Sequence, residues 1–129
     1  MIVVDTSVWI DFFNGTDSPQ SDFLDKLLST TQILMGDLIL VETLQGFKKD
    51  EDFQTAKDLL TIFPVVSMIG RDVAIKSARN YRSLRKMGVT VRKTIDVIIG
   101  TYCMVYGHRL LSSDRDFNPM VTHLGLETV

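Results

Sequence analysis

Ile2-Val3-Val4-Asp5-Thr6-Ser7-Val8-Trp9 is the stretch on which the fold turns. Three apolar residues in a row, with no alternation, read as a short strand buried on both faces, the pattern of a parallel sheet. Asp5, just before Thr6-Ser7, can then cap a helix whose apolar pattern over residues 7–13 runs to the stop signal Asn14-Gly15. A strand that passes directly into a helix is the first half of a parallel crossover unit.

The same order repeats downstream. Apolar runs at residues 32–35, 64–68 and 109–112, with a last one at 126–129, are strand candidates. After Ser18-Pro19, a cap residue followed by proline at the first helical position, Phe23, Leu24, Leu27 and Leu28 fall at helical spacing. Asp37 is expected to cap a helix carrying Glu42, and Asp50 a helix that turns Phe53, Ala56, Leu59 and Leu60 inward. A basic helix is predicted to bury Ala74, Ala78, Tyr81 and Leu84 and to stop at Gly88. Thr94 is the expected cap of a helix through Tyr106 that is apolar nearly all round and therefore buried, which makes Cys103 a core residue. Strands alternating with helices predict an α/β sandwich around a mostly parallel sheet, with residues 1–129 as a single domain.

Composition narrows the function classes. The chain is 45% hydrophobic and 23% charged, as in ordinary globular proteins. No apolar run approaches the ~20 residues of a membrane span, and Met1 leads into a strand with no basic, apolar leader. Cys103 is the one cysteine, so there is no intrachain disulfide framework and no cysteine-built metal site. A cytoplasmic protein is expected, with no membrane partner. The net charge of −2 conceals a division: residues 1–70 hold 4 Lys/Arg against 11 Asp/Glu, and residues 71–93 hold 8 against 1. That basic segment, with Arg79, Arg82, Lys86, Arg92 and Lys93, is either a solvated helix face or a phosphate-contacting surface.

Four acids stand where apolar stretches end or begin: Asp5 after Ile2-Val3-Val4, Glu42 after Leu38-Ile39-Leu40-Val41, Asp96 before Val97-Ile98-Ile99, and Asp114 after Leu110-Leu111-Ser112-Ser113. Each has an ordinary explanation. Asp5 can cap the first helix, Asp96 can favour the dipole of the last long one, and Asp114 and Asp116 lie in a polar turn. Jointly they indicate more, because ligands of open parallel sheets bind beyond the carboxyl ends of the strands. Carboxylates gathered there cannot all ionise without a counter-ion, and all-oxygen ligation suits Mg²⁺ or Mn²⁺. The leading reading is a metal-dependent hydrolase. His108 and His123 have no ligand partners at metal-site spacing, and no phosphate-binding glycine loop is present. A phosphoacceptor receiver domain, which is also α/β and binds Mg²⁺ through acids, fits poorly: Asp5 has no acidic neighbour and no lysine follows Lys93.

These motifs resemble those of the PIN-domain ribonucleases of the VapC toxin type. The opening from Ile2 to Trp9, the central Glu42, Val91-Arg92-Lys93-Thr94-Ile95-Asp96 and Leu110-Leu111-Ser112-Ser113-Asp114-Arg115-Asp116-Phe117 are similar to the motifs of that family, in order. The resemblance implies a three-layer α/β/α sandwich with a central, mostly parallel five-stranded sheet. It also implies a Mg²⁺- or Mn²⁺-dependent endoribonuclease acting on RNA, with tRNA and other structured RNA as candidate substrates, usually paired with a VapB-type antitoxin and often a homodimer. Carried onto this chain, it makes Asp5, Glu42, Asp96 and Asp114 the acidic metal pocket, with Asp116 as an outer ligand. Thr6 and Ser112 would orient carboxylates, Arg92 and Lys93 would hold the phosphate, and Arg79, Arg82 and Lys86 would follow the RNA backbone. The alternative within the same fold is a catalytically inactive module that binds RNA or protein.

Overall fold

A computed structural model describes residues 1–129. Its sheet consists of β1 (Ile2–Val4), β2 (Ile33–Gly36), β3 (Val65–Val66) and β4 (Arg109–Leu111), in the order β3-β2-β1-β4. All pairs are parallel, with Val3 opposite Leu34 on one side and opposite Leu110 on the other. The central strands are buried on both faces, as their unbroken apolar runs predict; Val3 and Leu110 are fully inaccessible.

Four strands form where five were expected. Leu126 turns into the core, and the last run meets the sheet at a single parallel bridge between Thr128 and Leu110. The strand expected at 64–68 shrinks to two residues at the sheet edge, where Val65 stays exposed. Met68 leaves the strand to fill the space over Gly36, where an added Cβ would collide with its Sδ.

Seven helices connect and cover the sheet: α1 (Thr6–Asn14), α2 (Pro19–Leu27), α3 (Asp37–Leu44), α4 (Asp50–Leu60), α5 (Gly70–Lys86), α6 (Thr94–Tyr106) and α7 (Asn118–Leu124). With the right-handed crossovers usual for parallel strands, the path β1 to β2 to β3 puts α1–α4 on one face and the return to β4 puts α5 and α6 on the other. Packing follows this division: α1 lies against α2 and α3, whereas α5 lies against α6 and α7. Full burial of side chains such as Ile39, Ile99 and Leu110 contributes about 1.5–3 kcal/mol each.

Local signals explain the helix ends. Asp5 caps α1 through the Ser7 N–H, and Gly15 closes it at φ 67°. Ser18 and Ser21 form a reciprocal capping box on α2. Asp37, Asp50 and Thr94 are each the first helical residue rather than the cap, and neither Asp50 nor Thr94 makes a capping bond. The Asp37 carboxylate instead accepts the N–H groups of Leu38 and Met68, tying α3 to the end of β3. The buried face of α5 is rotated from expectation: Val73, Ser77 and Leu84 point inward, while Ala74 and Ala78 are exposed. Alanine is apolar enough to mark a face but too small to anchor it when valine and leucine compete. Phe53, expected inward on α4, is also exposed, and Ala56 and Leu60 carry the packing there.

Candidate active site

Strand order reverses between β1 and β4, because the chain moves outward from β1 through β2 to β3 and then returns to β4 on the other side. Asp5 follows β1, and the segment Ser112–Asp116 follows β4, so both lie at this switch point. From above, α6 contributes Asp96 in its first turn, and α3 contributes Glu42.

Asp5 is held by the chain itself. It is 3% exposed, and its Oδ2 accepts from the Ser7 Oγ (2.7 Å), the Ser7 N–H (3.2 Å) and the Ser112 Oγ (3.1 Å). Ser7 in turn accepts the Ser113 N–H, and Ser112 accepts the Asp114 N–H, so the two strand ends are laced together. Thr6 donates to Glu42 at 2.8 Å, joining α1 to α3.

Asp96 is 4% exposed, and its Oδ2 is buried with no hydrogen-bond partner. Its pKa is raised to about 6, first by burial; the Lys93 ammonium pulls it down, while the charges of Asp5, Asp114 and Glu42 push it up further. The closest oxygen cluster is formed by Asp96, Asp114 and Asp116, whose ligand atoms all lie within 4.8 Å of one another. Asp5 and Glu42 stand outside that group, although their charges reach Asp96. Lys93 Nζ sits 3.6 Å from Asp96 and 3.5 Å from Asp114. Burial alone would lower the pKa of Lys93, but Asp96, Asp114 and Glu42 outweigh it and the value is raised.

Arg92 and Lys93 line a crevice of about 100 Å³ with Asp96, Arg115 and Asp116. Arg79, Arg82 and Lys86 are exposed on α5 and do not line it; Arg82 borders a separate groove between α5 and α6. Two residues of the site were missed in the sequence. Ser7 makes the shortest bond to Asp5, and its position two residues on is the usual spacing for a side-chain-to-backbone cap. Arg115 lies between two acids, a position that gave no separate signal.

Elsewhere, Cys103 is fully buried, and burial pushes its thiol up to about 12, in keeping with a core role. Trp9 is also fully buried, packed with Phe12, Phe13 and Phe63. No helix is long and apolar enough to cross a membrane.

The donor chemistry fits a hard divalent cation: only carboxylate oxygens converge, and one of them is buried without a donor. A parallel sheet with an acidic cluster at its switch point defines a class of α/β proteins within which the family is known. The PIN domain family model matches residues 2–120, and the chain belongs to that family. The Mycobacterium tuberculosis protein named Ribonuclease VapC11 is 31% identical over 120 residues, covering 92% of this chain and 90% of that one. Among solved structures, VapBC2 from Rickettsia felis, bound to a DNA fragment from its promoter, aligns with a TM-score of 0.78 over 100% of this chain and 98% of that chain at 16% identity. FitAcB from Neisseria gonorrhoeae aligns with a TM-score of 0.77 over 99% and 96%, at 14% identity.

Proposed function

We propose that this chain is an endoribonuclease of the VapC type, hydrolysing RNA phosphodiester bonds in the cytoplasm as the toxin partner of a VapB-type antitoxin. The likeness to the ribonuclease VapC11 and to VapBC2 supports this reading. Residues 1–129 act as a single PIN domain, homodimeric by analogy with the family.

The observation that carries the proposal is Asp96 at the sheet's switch point, whose Oδ2 is buried without a hydrogen-bond partner and whose carboxylate lies with those of Asp114 and Asp116 in one group with ligand atoms within 4.8 Å. Asp96, Asp114 and Asp116 would hold Mg²⁺ or Mn²⁺, with Asp5 and Glu42 completing the acidic site. Bound there, such an ion supplies Lewis acidity and a lowered water pKa for attack on phosphorus. Thr6, Ser7 and Ser112 orient the carboxylates of Glu42 and Asp5. Arg92 and Arg115 line the crevice, where they meet the scissile phosphate. Arg79, Arg82 and Lys86 follow the RNA backbone further out, giving affinity without sequence choice.

Incubation of the purified protein with tRNA and other structured RNA tests this, with Mg²⁺ or Mn²⁺, beside EDTA, Asp5→Asn and Asp96→Asn controls. Metal-dependent fragments that vanish in all three controls are the expected result. Absence of cleavage together with retained RNA binding would instead identify an inactive binding module.

A further inference from the structure

We infer that Lys93 is a tethered counter-ion of the acidic cluster, which a divalent cation must displace before it can bind. This inference rests on the metal-dependent reading above. The Lys93 ammonium lies between Asp96 and Asp114, 3.6 and 3.5 Å from one oxygen of each. Those are two of the three carboxylates that would share an ion, so ammonium and metal compete for one position. At 3.6 Å the contact with Asp96 is too long for a hydrogen bond, and the buried Oδ2 has no other donor. Lys93 therefore compensates the charge of Asp96 without satisfying its geometry, as a placeholder does.

Its attachment suits exchange. The side chain is 48% exposed and springs from extended backbone (φ −134°, ψ 119°) just before α6, so it can leave without disturbing the helix. Lysine also acts as a point charge on a flexible stem and gives up no bidentate fork on leaving. The other cations of the crevice stand differently. Arg92 is 3.7 Å from Asp116 with its side chain 75% exposed, and Arg115 makes no ion pair within 4.0 Å. Lys93 alone bridges two members of the cluster. Any contact it makes with a substrate phosphate begins only once it has been displaced.

The test is Mn²⁺ binding, followed by the loss of the free-ion signal in electron paramagnetic resonance and by thermal unfolding with and without the ion. The proteins are the unmodified chain, Lys93→Met and Lys93→Arg. Removing a unit charge about 4 Å from the ion should tighten Mn²⁺ binding by about tenfold or more. Lys93→Met should also lose melting temperature in EDTA and gain more than the unmodified chain on adding Mn²⁺. Lys93→Arg, which keeps the cation and adds a bidentate fork, should bind Mn²⁺ no more tightly than the unmodified chain. Equal or weaker Mn²⁺ binding by Lys93→Met overturns the counter-ion role and leaves the metal site standing. No Mn²⁺ binding by any of the three overturns the metal-dependent reading itself, and this inference with it.

Discussion

Asp5 and Asp96 are almost equally hidden, yet the chain treats them in opposite ways. At the end of β1, three donors converge on one oxygen of Asp5. At the start of α6, Asp96 has a buried oxygen that no donor reaches, and its pKa is raised to about 6. Hydrogen bonds to a carboxylate favour its charged form, and burial without them disfavours it. The β1 corner is thus finished by the fold, while the α6 corner keeps an oxygen without a donor, which is what the proposed metal site requires. Burial alone says little about what an acid does; its donors distinguish the two.

The sharpest way to break this contrast is to neutralise each acid in turn. Both Asp5→Asn and Asp96→Asn should reduce metal-dependent RNA cleavage to background, but their effects on metal-free stability should differ in sign. Asp96→Asn should stabilise the protein in EDTA at pH 7, by up to about 3 kcal/mol from the upward shift. Asp5→Asn should destabilise it by about 1–2 kcal/mol through weakened charge-assisted bonds. Urea denaturation of both variants checks this, and stabilisation by Asp5→Asn would show that crowding of charge, rather than donor count, sets the balance.

A pH series sharpens the same point. Asp96 titrates near 6 in the folded chain against an ordinary value of 3.8, so the folded state holds its proton more tightly. Its contribution to stability is therefore present at pH 4 and is lost as the pH rises through 6. In EDTA, the stability difference between Asp96→Asn and the unmodified chain should grow over that interval and then level off. A difference that stays flat from pH 4 to 7 would remove the basis for the contrast.

Smaller effects are expected from the supporting groups. Ser7→Ala removes the shortest bond to Asp5 and should cost about 10–100-fold in metal affinity or cleavage rate. The smallest effect belongs to Arg79→Ala on α5. It should weaken RNA binding evenly across sequences and lower the slope of affinity against salt by about one ion. A change in cleavage-site preference would place Arg79 nearer the reacting bond than the structure does.

Much of this was legible in the sequence, and what was not has physical causes. The runs at Ile2-Val3-Val4 and Leu110-Leu111 read as buried strands because they are short, apolar and without alternation. Pro64 to Met68 looked similar, but an edge strand pairs on one side only, and Met68 was worth more in the gap over Gly36. On α5 the small alanines suggested a face that larger residues took over. The acids were visible because polar residues at the ends of apolar runs are conspicuous. That Asp116 joins Asp96 and Asp114 within 4.8 Å, while Asp5 and Glu42 stand apart, depends on the turn after β4 and has no one-dimensional signature. Ser7 and Arg115 were overlooked because serine and arginine beside aspartate are unremarkable until the backbone brings them into register.

Cys103 has a practical consequence. The only sulfhydryl is sealed inside α6 and kept protonated at ordinary pH, so maleimides and nitroxide reagents should leave the unmodified chain untouched. A cysteine introduced at an exposed position of α5, such as Arg79, would be the one site to take a label. A paramagnetic ion in the pocket would then report its distance to that label directly, with no background from the rest of the molecule.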